Sequence, residues 1–268
     1  MDGLSISEKI GYSTIRIEAS IPDGISTGTG FLFNIRLDQG VFNSCLVSNK
    51  HVIEGSSFTR LVVSCKDKRG SVIKKRLEID SKLWISHPHE DTDLCVLPMV
   101  HVWGLIVATG LMPYVAPLDE SLIPSKEQLE DLSAIEDIIM VGYPDGIWDE
   151  VNNQPILRRG ITATHPKNDF NGNPEFLIDA ACFPGSSGSP VLILNQGSYI
   201  DKTGSLNIGV SRVLLLGVLY AGPQHTAEGS IRFAAIPRTY TAIPNNLGLV
   251  IKSHKLLDFK SILQEHVK

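Results

Sequence analysis

The stretch Phe183-Pro184-Gly185-Ser186-Ser187-Gly188-Ser189-Pro190 runs straight into the apolar sequence Val191-Leu192-Ile193-Leu194. Serines set between glycines and closed by a proline read as a loop feeding a buried strand. Gly185 has no Cβ, so its peptide can take an orientation that other residues resist. Such a loop exposes one hydroxyl and turns backbone N–H groups toward a common point, as stabilising an oxyanion requires. The competing reading is a plain Gly/Ser turn between strands. A serine hydroxyl is a poor nucleophile at neutral pH. The catalytic reading therefore needs an imidazole base and a carboxylate to orient it from elsewhere in the chain.

Upstream, Ser48-Asn49-Lys50-His51-Val52-Ile53 follows the apolar stretch 41–47, so His51 sits just past a strand end. Taken alone it reads as a polar surface residue as readily as a base. Asp93 opens the run Leu94-Cys95-Val96-Leu97, where a carboxylate costs desolvation unless it has a partner. Asp91 is a nearby competitor without an apolar run behind it. His87, His89, Glu90 and Asp91 suggest metal ligands, but their irregular spacing beside Pro88 favours a solvated loop.

Around these points the chain is a succession of short strand patterns. Residues 13–19 alternate apolar and polar, 58–65 and 72–79 flank the turn Lys68-Arg69-Gly70, and 137–142, 156–163, 175–179 and 213–222 follow. Short strands at regular spacing with Gly/Pro turns indicate an all-β protein of two antiparallel barrels. The spacing places an N-terminal lobe at 1–110, a proline-rich connection at 111–135 and a C-terminal lobe at 136–245. Leu256, Leu257, Phe259, Ile262, Leu263 and Val267 recur at helical spacing, so a helix is expected over 246–268.

Composition bounds the partners. The 268 residues carry a formal net charge of −5 with scattered Lys and Arg, which argues against nucleic acid as a partner. The longest apolar stretch, 208–221, is broken by Ser211 and Arg212 and falls short of the roughly 20 residues that span a bilayer, so no membrane is expected. No basic region followed by an apolar stretch opens the chain. Cys45, Cys65, Cys95 and Cys182 lie far apart in apolar runs and read as buried free thiols. A cytoplasmic protein is the expectation.

In chain order His51, Asp93 and Ser187 each fall at a strand end or loop, two from one lobe and one from the other. This order resembles that of trypsin-like (chymotrypsin-fold) serine proteases, and several segments resemble the HtrA group. Gly28-Thr29-Gly30-Phe31 is similar to its G-[ST]-G-[FS] strand. Residues 47–53 resemble V-T-N-x-H-V-[IV], 93–97 resemble D-[LI]-A-V-L, and 179–190 resemble D-A-A-x-x-P-G-N-S-G-G-P. Val141-Gly142-Tyr143-Pro144 with Gly160-Ile161 looks like a further hairpin of the family, and the resemblance covers roughly residues 12–238.

The resemblance implies two six-stranded barrels and a serine endopeptidase working through an acyl-enzyme. Ser187 would be the nucleophile, His51 the base and Asp93 its orienting acid, with the N–H groups of Gly185 and Ser187 as oxyanion donors. Carried back without gaps, the register puts Ala181 at the floor of the specificity pocket; a one-residue gap would put Ala180 or Cys182 there. Tyr220-Ala221-Gly222 would be the edge pairing with substrate, and residues 233–237 would wall the pocket. An uncharged floor implies cleavage after apolar residues of a protein or peptide, with no cofactor and no metal. A regulatory protein partner or a homo-oligomer is left open. Ser186 and Ser189 depart from the family pattern, no PDZ-like segment follows, and the loop 146–153 differs from the family's activation loop. A catalytically silent peptide-binding or scaffolding module is the alternative function.

Overall fold

The structure is a computed structural model and describes residues 1, 3–222, 224–230 and 238–267, with the backbone alone for 39, 224–230, 238–244, 266 and 267. The alternating segments of the N-terminal half form β1 (Thr14–Ile21), β2 (Gly24–Arg36), β3 (Phe42–Ser48), β4 (Phe58–Lys66), β5 (Val72–Asp80), β6 (Ile85–Ser86) and β7 (Cys95–Pro98), joined by β8 (Met112–Pro113) and β9 (Leu118–Asp119). They pair in the order β5-β4-β1-β2-β3-β7-β6, with β8 on β4 and β9 on β2. Ile15, Ile17, Leu32, Leu46, Leu61, Val63 and Leu97 fill the curled sheet.

The C-terminal half supplies β10 (Asp137–Gly142), β11 (Ile156–Thr162), β12 (Glu175–Asp179), β13 (Pro190–Asn195), β14 (Ser198–Ile200), β15 (Leu206–Ile208), β16 (Arg212–Ala221), β17 (Gln224–Ser230), β18 (Arg238–Pro244) and β19 (Leu247–Lys252). Six of these close a barrel in the order β10-β11-β12-β19-β16-β13, while β14–β15 and β17–β18 are separate hairpins. Side chains alternate across a strand, so each apolar strand serves two cores. Val191 and Ile193 point into the barrel with Met140, Phe176, Leu214 and Val250. Leu192, Leu215 and Val218 face the other way, against Phe31, Phe33 and Val141 in the seam between the lobes. Each large side chain buried there contributes about 1.5–3 kcal/mol, and together they fix one lobe against the other.

Among the described residues, five α-helices complete the fold: α1 (Ile6–Ser13), α2 (Lys50–Ile53), α3 (Val100–Ala108), α4 (Lys126–Glu130) and α5 (Phe259–Val267). The tail expected as a helix from 246 begins instead with β19, because Leu249-Val250-Ile251 has the β-branched, apolar character of a buried strand and fills the gap between β12 and β16. The helical spacing holds from Phe259, and α5 buries Phe259 and Leu263 in the seam. The segment 233–237, expected to wall the specificity pocket, lies outside the described residues. His87, read as part of a solvated loop, is buried. Its Nε2 meets the Lys255 carbonyl at 3.0 Å and its Nδ1 accepts the His89 N–H at 3.1 Å, so it ties the Asp93 loop to the tail.

Candidate active site

The segment Gly28-Thr29-Gly30 explains how the two lobes meet at one place. A Cβ on Gly28 would overlap Val52 of α2, so the glycine lets that helix lie on β2. Val52 is buried there while its neighbour His51 faces outward. Thr29 joins the lobes: its N–H donates to the Ser187 carbonyl at 2.9 Å, and its hydroxyl donates to the Gly185 carbonyl at 2.8 Å. Its own carbonyl accepts the Ser48 hydroxyl at 2.8 Å, three residues before His51.

Asp93 and His51 are in direct contact. One carboxylate oxygen takes the His51 backbone N–H at 3.1 Å and the other meets Nδ1 at 2.5 Å. Asn49 Nδ2 donates to the Asp93 carbonyl at 2.7 Å and holds the loop in place. A carboxylate can only accept, so Nδ1 carries the hydrogen and Nε2 is left with its lone pair free for a proton. The His51 side chain is 44% exposed, open to a ligand from the cleft.

The serine loop is two successive turns. Ser186 N–H donates to the Phe183 carbonyl and Ser189 N–H to the Ser186 carbonyl, each at 3.0 Å. Gly185 (φ 84°) and Gly188 (φ 86°) occupy the third positions, as type II turns require. Side chains are excluded at both: a Cβ on Gly185 would stand 2.5 Å from the Tyr143 carbonyl oxygen, and one on Gly188 would overlap the Thr29 carbonyl. Among the described residues, the N–H groups of Gly185 and Ser187 donate to no protein acceptor, although nearly all buried backbone N–H groups are paired. The Ser187 hydroxyl donates to the Tyr220 carbonyl at 3.4 Å.

Beside Ser187 is a cavity of about 160 Å³ lined by Cys182, Phe183, Pro184, Ser187, Leu219, Tyr220, Ala221 and Gly222, none of them charged. Ala181, expected at its floor, is not in the lining; its carbonyl is turned to the Arg158 guanidinium. Cys182, one residue on, is among the lining residues, with its Sγ packed against Gly248. Burial pushes the Cys182 thiol up to about 11. Asp201, the nearest acid in the following hairpin sequence, caps the turn between β14 and β15 by accepting Thr203 and Ser205 N–H groups. β13 pairs with β16 only as far as Val218, so Tyr220, Ala221 and Gly222 present a backbone edge with no strand partner on that flank among the described residues.

Thr29, Asn49 and Gly28 escaped the sequence reading as supports of the site. Their only signal was a Gly-flanked threonine and an asparagine two residues before the histidine.

Residues 28–200 match the trypsin-like peptidase domain family. No curated protein sequence matches the chain. Among solved structures, a variant of the HtrA-type protease AlgW with a tripeptide aligns over 99% of this chain at 15% identity and a TM-score of 0.52. This chain spans 65% of that one. The catalytically active tobacco etch virus protease, complexed with product, aligns over 99% of this chain and 83% of its own at 12% identity, also with a TM-score of 0.52. At such identities the likeness speaks for the fold, which is the two-lobed fold of these proteases. With the family match extending over more than half of its length, the chain belongs to the trypsin-like peptidase domain family.

Proposed function

We propose that the protein hydrolyses peptide bonds with Ser187 as nucleophile, His51 as general base and Asp93 as the acid that orients it. The observation that carries this reading is the double contact of Asp93 with His51, which leaves Nε2 as the proton acceptor. The resting Ser187 hydroxyl bonds the Tyr220 carbonyl; in the reaction its hydrogen turns from that carbonyl to His51 Nε2, a contact of the kind that tightens when substrate binds. Oγ then attacks the substrate carbonyl carbon while its proton passes to Nε2, and Asp93 stabilises the imidazolium. The oxyanion takes hydrogen bonds from the free N–H groups of Gly185 and Ser187, each such donor being worth about 10²–10³ in rate. Collapse expels the amine, which leaves with the proton from Nε2. Water, deprotonated by the same nitrogen, then hydrolyses the acyl-serine ester and releases the new carboxylate.

The uncharged lining of the Ser187 cavity supports small apolar residues before the cut. Burying an unpaired ammonium there costs several kcal/mol, whereas apolar area gains about 25 cal/mol per Å². The open flank at Tyr220-Ala221-Gly222 suits an extended segment added as a strand. The four cysteines are free and buried, as suits a reducing compartment such as the cytoplasm.

The test is digestion of an unfolded protein mixture by wild type and by Ser187→Ala, with every new terminus sequenced by mass spectrometry. Cuts after Val, Ala or Leu with wild type alone support the reading. Cleavage by Ser187→Ala at the wild-type rate overturns the nucleophile, and a map dominated by Lys and Arg before the cut overturns the pocket.

A further inference from the structure

We propose that Glu175, acting through Tyr220, is a positioning residue for the Ser187 nucleophile; this rests on the reading of Ser187 given above. Where β16 runs against β19, Leu219 faces Val250 and Ala221 faces Leu249, so two steps on one strand meet one on the other. Tyr220 is the extra residue of this β-bulge. A bulge takes its residue out of the ladder and re-aims it. Here the bulge falls just beyond the point where β13 leaves β16 and frees the Tyr220 carbonyl to receive the Ser187 hydroxyl.

The side chain of the bulged residue is anchored at its far end. The Tyr220 phenol donates to Glu175 Oε2 at 2.5 Å. Glu175 is held in turn by its backbone, which donates to the Asn173 carbonyl at 2.7 Å and accepts from Phe170 N–H at 3.0 Å. Tyr220, Glu175 and Asp93 line one cavity of about 210 Å³, so the ring spans from the nucleophile's acceptor to the flank of the orienting acid. Burial, with Glu175 and Asp93 close by, holds the phenol in its protonated, donating form.

A phenol donating to a carboxylate makes a charge-assisted bond, roughly twice as strong as a neutral one. It opposes relaxation of the bulge into regular register, which would swing the Tyr220 carbonyl away from Ser187. Misplacement of a reacting group by about 1 Å costs on the order of 10² in rate. Glu175 touches neither substrate nor Ser187, so its effect is on the placement of Oγ and not on binding.

The experiment follows covalent labelling of the whole chain by a fluorophosphonate probe, which needs no knowledge of the natural substrate. Saturation kinetics separate the maximal labelling rate from the probe concentration at half-saturation, and the unfolding midpoint is recorded for each variant. Tyr220→Phe and Glu175→Ala are expected to lower the maximal rate by about 10–100-fold with half-saturation unchanged. Glu175→Gln keeps an acceptor oxygen and is expected to restore the rate to within about threefold of wild type. The double variant Tyr220→Phe/Glu175→Ala should be no slower than the slower single one, since both remove one bond. Labelling of Tyr220→Phe and Glu175→Ala at the wild-type rate overturns the inference alone. So does a loss confined to half-saturation, or one that Glu175→Gln does not rescue. Failure of wild type itself to label overturns the reading of Ser187, and the inference with it.

Discussion

The Asp145 N–H donates to the Pro184 carbonyl at 2.6 Å, and this bond sets which way the Gly185 N–H points. In a trans peptide the carbonyl and the N–H lie in one plane and point in opposite directions. With the Pro184 carbonyl held by Asp145, the Gly185 N–H is turned to the other side, where it has no partner among the described residues. Asp145 itself sits at φ 50°, in a turn that begins at Tyr143.

Gly185→Ala therefore tests the donor directly. The new Cβ would meet the Tyr143 carbonyl at 2.5 Å and the backbone would be strained at φ 84°. Turnover is expected to fall by about 10²–10³ as the N–H is displaced. Stability should fall by only about 1–3 kcal/mol, the cost of one strained residue. Steady-state turnover and a denaturant midpoint on the same preparation check both halves.

The His51–Asp93–Ser187 set should behave as a unit. Asp93→Asn replaces an acceptor by an amide, which cannot accept both His51 hydrogens with its nitrogen and favours the wrong imidazole tautomer. A loss of about 10⁴ in turnover is expected. Ser187→Ala and His51→Ala should each cost about 10³–10⁶, and a double variant should lose little more than either alone. Progress curves for the single and double variants measure the non-additivity.

Gly28 and Val52 make a separable structural pair. Gly28→Ala drives a Cβ into the Val52 methyl groups and should destabilise the fold by about 1–3 kcal/mol through overpacking. Adding Val52→Ala should recover part of that loss, because the space is then shared. A four-point cycle of unfolding midpoints reads the coupling.

The cysteines give a prediction in pH. Burial raises Cys182 and Cys65 to about 11 and Cys45 to about 12, so the native thiols stay protonated at pH 8. Iodoacetamide at pH 8 should leave the folded protein unmodified, and alkylation should rise only as the pH approaches about 11. A thiol whose folded value lies above its unfolded value contributes stability below the unfolded value, about 8.5. That contribution is lost as the pH climbs through the folded value. The unfolding midpoint should thus fall on the alkaline side from about pH 8.5 upward, and replacing the three cysteines by alanine should flatten that slope.

The candidate residues were legible because His51, Asp93 and Ser187 each follow or precede an apolar run whose period marks a strand. The structure brings His51 and Asp93 into direct contact. Pro184-Gly185 likewise announced its turn. Nothing local distinguishes Ala181 from Cys182, and it is Cys182 that lines the cavity beside Ser187. The Ala181 carbonyl meets the Arg158 guanidinium, a contact 23 positions apart. The bulge at Tyr220 was equally hidden, because it exists only relative to Val250 and Leu249. α1 was readable but passed over: Ser5 and Glu8 form a capping box at its start. In the tail, a 3₁₀ stretch (Ser253–Asp258) precedes α5, so the helical spacing set in before the α-helix itself.

Strand β19 closes the barrel between β12 and β16, yet it is translated some sixty residues after Ser187. Until residues 247–252 leave the ribosome, β12 and β16 each carry an open edge and the bulge at Tyr220 has nothing to form against. A growing chain thus holds His51, Asp93 and Ser187 before the barrel behind them is closed.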